Sequence, residues 1–104
     1  MIDLTSLQKE KELGECLARL KGNKDFQMLI EQEYLKDFPA QLAMLLGSDE
    51  MQYPETQVRI KKSIDGIGSF SNFLNRIRIA AESAKQSIDA VDSGEVIDFD
   101  DVAE

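Results

Sequence analysis

Two pairs of glutamates are the first side chains in this chain that could do chemistry. Glu12 with Glu15, and Glu31 with Glu33, bring carboxylates close enough to supply an acid and a base or to hold a divalent ion. Their context points elsewhere, because both pairs lie in amphipathic segments where carboxylates populate the wet face of a helix. There is no histidine, so the commonest general base and metal ligand is missing. Cys16, the single cysteine, has no imidazole to activate it and no second thiol for a disulfide or a metal. It reads as a small, partly buried helix residue. Asp98-Phe99-Asp100-Asp101 lacks the glycine turn and closing glutamate of a calcium loop. Gly66-Ile67-Gly68 has no strand before it that would make a phosphate cradle. The sequence is therefore read as that of a non-enzyme without catalytic, cofactor-binding or metal-binding residues.

Charge is distributed unevenly. Of the formal charge of −8, the stretch from Asp89 to Glu104 carries −7, through Asp89, Asp92, Glu95, Asp98, Asp100, Asp101 and Glu104, and the last basic residue is Lys85. The body is close to neutral, so direct binding to nucleic acid is not expected. Val96, Ile97, Phe99 and Val102 interleave with the acids, which a purely solubilising tail would not require. That pattern predicts docking of the tail on a protein partner with a basic, partly apolar groove, with Asp98, Phe99, Asp100 and Asp101 as the contacting residues. No run of apolar residues approaches the ~20 a spanning helix needs, so no membrane contact is expected, and the expected location is the cytoplasm.

These candidates must be carried by helices. Thr5 and Gln8 have the spacing of a capping box; Leu4, Leu7, Leu13, Leu17 and Leu20 then share a face, and Lys21-Gly22 is a stop. Asn23 is a good N-cap for a second segment whose apolar positions are Phe26, Leu29, Ile30, Tyr34, Phe38, Leu42, Leu45 and Leu46. Pro39 falls inside that segment and predicts either a kink or a new helix capped by Asp37. Gly47-Ser48 ends it.

Pro54 and Glu55 suit the first turn of a third, longest helix. From there Ile60, Ile64, Ile67, Phe70, Leu74, Ile77, Ala81, Ala84, Ile88 and Val91 recur at steps of three and four. One helix over about 54–92 follows, although Gly66 and Gly68 each cost about 1 kcal/mol relative to alanine. Such a helix is about 57 Å long against about 35 Å for the second. Unless the first helix covers the rest, a seam longer than its neighbours predicts self-association through Ile67, Phe70, Phe73, Leu74 and Ile77. Gly66, Gly68, Ser69 and Ser71 thin the helix there, which predicts either a kink or break in it or close approach of another helix. Arg59, Lys61, Lys62, Arg76, Arg78 and Lys85 line the same segment as a solvated face able to hold an acidic tail.

The run Leu20-Lys-Gly-Asn-Lys-Asp-Phe-Gln-Met-Leu29, then Glu33-Tyr34-Leu35-Lys36-Asp37, then Ile64-Asp65-Gly66-Ile67-Gly68-Ser69-Phe70-Ser71-Asn72-Phe73-Leu74 resembles a group of small helical proteins of tailed bacteriophages. The resemblance spans residues 13–92 and implies a virion-associated or assembly protein, made in the host cytoplasm, with no catalytic residues to transfer. Val96-Ile97-Asp98-Phe99-Asp100-Asp101 is similar to the acidic C-terminal peptide of bacterial single-stranded-DNA-binding proteins, but here the chain ends Val102-Ala103-Glu104, without a terminal proline and phenylalanine. This second likeness implies docking on basic pockets of replication proteins, and the alternative expectation is a small phage regulator that inhibits a host nucleic-acid-binding protein through its acidic tail.

The expectation is thus an all-α protein: a helical hairpin or three-helix arrangement with one long C-terminal helix in a domain over 1–93, and a disordered acidic tail over 94–104. Its expected function is that of a homo-oligomeric structural or assembly component of a bacteriophage particle.

Overall fold

The structure, a computed structural model, describes residues 3–93; the acidic tail lies outside them. Every regular element among the described residues is helical. Helix α1 spans Leu4–Lys21, α2 Lys24–Phe26, a π-helix Gln27–Asp37, α3 Phe38–Leu46, a 3₁₀ turn Asp49–Met51 and α4 Pro54–Ser93. The chain from Lys24 to Leu46 is helical without a break, so three helical stretches result, the last far the longest.

Helix starts are set by local side-chain chemistry. Asp3, one residue before α1, accepts the backbone N–H groups of Thr5 at 3.0 Å and Ser6 at 3.4 Å through Oδ1, and the Ser6 hydroxyl at 2.8 Å through Oδ2. The cap is therefore Asp3 and not Thr5, because a carboxylate two residues upstream reaches both orphan amides. Asn23 caps as expected, with extended backbone (φ −84°, ψ 127°) and its Oδ1 3.0 Å from the Phe26 N–H. At the far end, the Leu46 carbonyl accepts both the Gln52 and Gln57 side-chain amides, at 3.0 and 3.1 Å. The Gln57 amide also donates to the Met51 carbonyl at 2.7 Å, tying the turn before α4 to the helix that follows it.

The chain stays helical through Pro39, and no new helix capped by Asp37 begins there. Asp37 has helical dihedrals and no capping bond, and the Phe38 N–H reaches back five residues to the Glu33 carbonyl. Widening the turn ahead of a proline moves carbonyls out of the path of its ring, which clashes with residue i−4 in a normal helix. The Gln32 amide donates to Asp37 Oδ1 at 3.1 Å, an i, i+5 contact that an α-helix would not bring together. Wider winding also changes which residues face inward. Phe26, Ile30, Tyr34 with Leu35, and Pro39 turn in at steps of four and five, while Leu29 and Phe38, assigned inward by a three-four rhythm, are exposed.

Two compact units result. In the first, residues 1–19 and 75–104, Leu17 of α1 and Ala84 and Ile88 of α4 are buried, with Leu7, Ile77, Ala81 and Val91 half-buried. Gly14 of α1 lies where any Cβ would overlap the Ala81 side chain. Leu4 and Leu13 are exposed, because the packed face of α1 centres between Leu17 and Gly14 and leaves them on its flanks.

In the second unit, residues 20–74, Leu42, Ile60 and Ile67 form the buried cluster, with Tyr34, Leu35, Leu46, Met51 and Ile64 packed on it. Leu20, placed on the α1 face by its spacing, is exposed here. Leu46 meets Gln57, Leu42 meets Ile60, and Tyr34 meets Phe70, so α3 and the π-helix run antiparallel to the first half of α4. Burying each large aliphatic side chain contributes roughly 1.5–3 kcal/mol gross.

Helix α4 is unbroken at Gly66 and Gly68. All ten seam positions from Ile60 to Val91 are buried or half-buried. The expectation that neighbouring helices would leave this seam uncovered is therefore corrected: α1 covers its second half in one unit, and the π-helix and α3 cover its first half in the other.

Candidate functional site

The side chains picked out by chemistry are dispersed. Glu12, Glu15 and Glu33 are exposed and Glu31 is half-exposed, and among the described residues no three acidic or cysteine side chains gather as a metal site would need. Cys16 is exposed rather than partly buried, since α1 turns Leu17 and not its neighbour toward α4; its Sγ accepts a hydrogen bond from the Arg19 guanidinium at 3.2 Å. Asp3 has its carboxyl held below the usual aspartate range by the hydrogen bonds from Ser6 and Thr5, an electrostatic signature of a helix cap.

The residues expected to bind a partner divide three ways. Ile67 is buried in the second unit's own core, and Phe70 is half-buried with its ring edge-on to Tyr34, centroids 5.7 Å apart at 77°. Leu74 and Ile77 are half-buried, while Phe73 is half-exposed, one helical step off the seam. Asp98, Phe99, Asp100 and Asp101 lie outside the described residues. Close approach of backbones, expected at Gly66 and Gly68, is found at Gly14 instead; nothing stands within 4 Å of a Cβ built on either glycine of α4.

What the structure adds is a groove in the second unit. Leu42 of α3 and Ile60 of α4 form its floor, and Thr56, Arg59 and Ser63 of α4 its wall, around a cavity of 160 Å³. Thr56, Arg59 and Ser63 follow at steps of three and four beside the seam, so one flank of α4 supplies the wall. Phe38 and Leu45 flank Leu42 on α3 at steps of four and three, each 38% exposed. The apolar strip continues to Tyr34, which stacks on Phe38 with centroids 6.4 Å apart. In the sequence Arg59 is one of the solvated cations of α4 and nothing marks the groove, because the register of α3 against α4 depends on the π-helix. Arg78, by contrast, pairs with Glu82 at 3.5 Å on the exposed face of α4.

No family model matches the chain, and no curated protein or solved structure matches it either. No described helix is long and apolar enough to cross a membrane.

Proposed function

We propose that this protein is a non-enzymatic helical assembly component that works by associating with further copies of itself, in the setting of a bacteriophage particle or its precursor. One observation carries the reading. Twelve large apolar side chains among the described residues are exposed, against six buried apolar ones. Scattered single exposures are ordinary, but here they include Met28, Leu29, Met44 and Tyr53 at 65–79% exposure within one 55-residue unit. Surfaces of this kind are covered when copies associate. The bacteriophage setting rests on the sequence resemblance of residues 13–92.

The seam of α4 does not serve this association, because the chain's own helices cover it; the surfaces left for it are the exposed flanks, Phe73 among them. Light scattering of the purified protein tests the proposal, and a defined mass above that of one chain is the expected result. A regulator that docks its acidic tail on a host protein is the second reading, favoured by the interleaving of Val96, Ile97, Phe99 and Val102 with acids. That reading expects a monomer.

A further inference from the structure

We propose that the π-helix Gln27–Asp37 is a two-state winding switch that pivots on Tyr34 and Leu35 and is biased by Pro39; its α-wound form turns Met28 and Phe38 inward and Ile30 outward. The inference lies within the second unit and stands apart from the self-association proposed above.

No buried side chain holds the observed winding. Of the eleven residues in the π-helix none is buried; Ile30, Glu31, Tyr34, Leu35 and Asp37 are half-buried and the other six are exposed. The side-chain bond peculiar to the wider turn, from the Gln32 amide to Asp37 Oδ1 at 3.1 Å, lies in solvent, where a hydrogen bond contributes little net stability. Pro39 is what favours this winding. In an α-wound turn its ring would meet the carbonyl of Leu35, four residues back, whereas in the wider turn the Phe38 N–H bonds to the Glu33 carbonyl.

The α-wound form has an inner face of its own. Leu42 docks α3 in the core, and α-winding carried back from it at steps of four and three reaches Phe38, Leu35, Glu31 and Met28. Phe38 already stacks on Tyr34 and Glu31 is already half-buried, so Met28, 72% exposed, is the residue that travels furthest. Tyr34 and Leu35 pack on the Leu42, Ile60 and Ile67 cluster and stay on the inner side in both windings.

Rewinding has a defined consequence. Eleven residues make about three turns of α-helix, and about half a turn fewer at the four to five residues per turn that i→i+5 bonding gives. The start of the stretch, with its Asn23 cap, therefore rotates by about half a turn relative to α3. An outward Met28 is exchanged for an outward Phe26 and Ile30. A contact made to Met28 holds the π form and a contact made to Phe26 or Ile30 draws out the α form, which is how one stretch with two packings responds to what binds it.

NMR of the full-length protein tests this through scalar coupling across the hydrogen bond donated by the Phe38 N–H, which ends on the Glu33 carbonyl in the π form and on the Tyr34 carbonyl in the α form. Wild type should show the coupling to Glu33, with relaxation dispersion over residues 24–38 from a minor form. Pro39→Ala removes the ring and supplies an N–H, and should move the coupling to Tyr34. Ile30→Ser takes burial from the π form alone and should raise the minor population about tenfold, the factor that half-burying an isoleucine is worth. Circular dichroism matched to wild type qualifies Pro39→Ala, and Ile30→Ser decides the matter should that variant unfold. A coupling that stays on Glu33 in folded Pro39→Ala overturns the switch, and so does a dispersion profile that Ile30→Ser leaves unchanged.

Discussion

Gly14 of α1 and Ala81 of α4 sit so close that a methyl group at position 14 would occupy the space of the Ala81 side chain. Two helices can meet at that distance because one of them has no Cβ there. Gly66 and Gly68 are the contrasting case: they lie on an exposed face of α4 with open space around them.

These two kinds of glycine predict substitutions of opposite sign. Gly14→Ala should lower stability by up to about 2 kcal/mol, since overpacking costs about 1–3 kcal/mol and better helix propensity returns about 1. Gly66→Ala should raise stability by up to about 1 kcal/mol. Urea denaturation read by circular dichroism measures both, and a Gly14→Ala variant as stable as wild type would remove the close crossing from the account.

Tyr34 and Phe70 should be energetically coupled through their edge-on rings. Phe70→Ala should cost about 2 kcal/mol, less than the roughly 3–5 of a fully buried phenylalanine, and a double-mutant cycle with Tyr34→Ala should return a coupling of about 1 kcal/mol. Additive effects would show that the π-helix does not pack on α4 at this point.

How much of this was legible in the sequence depends on whether a residue's neighbours lie in its own helix. The seam from Ile60 to Val91, the Pro54 start and the Asn23 cap all follow from local rules, and the structure has them where those rules put them. Leu29 and Phe38 were misplaced because a π-helix shifts the inward rhythm, and nothing in a three-four pattern signals wider winding except the proline that ends it. Leu4 and Leu13 were misplaced because the crossing at Gly14 rotates α1, a fact about Ala81 and not about α1 itself. The groove around Arg59 needed both the winding and the antiparallel register.

Acid should loosen the start of α1 first. Asp3 titrates below the ordinary aspartate range because its ionised form accepts hydrogen bonds from Ser6 and Thr5. A carboxyl with a lowered folded pKa stabilises fully above its unfolded value, ~3.9, and that contribution is lost as pH falls through the lowered folded value. The Thr5 and Ser6 amide resonances should follow this titration. Asp3→Asn keeps a capping oxygen and should abolish the pH dependence of those two amides, and their continued titration in the variant would assign the effect to another group.

Asn23→Ala should cost about 1 kcal/mol by leaving the Phe26 amide without its acceptor. Because the cap opens the helical stretch that supplies Tyr34, Leu35 and Leu42 to the second unit's core, the loss should appear as faster amide hydrogen exchange over residues 24–46. Exchange unchanged there would mean that packing alone holds the start of this stretch.

Self-association is the central claim, and sedimentation velocity of the full-length wild-type protein over a wide concentration range tests it most directly. The account predicts a defined species heavier than one chain whose share rises with concentration. A single compact species with the mass of one chain at every concentration would contradict it.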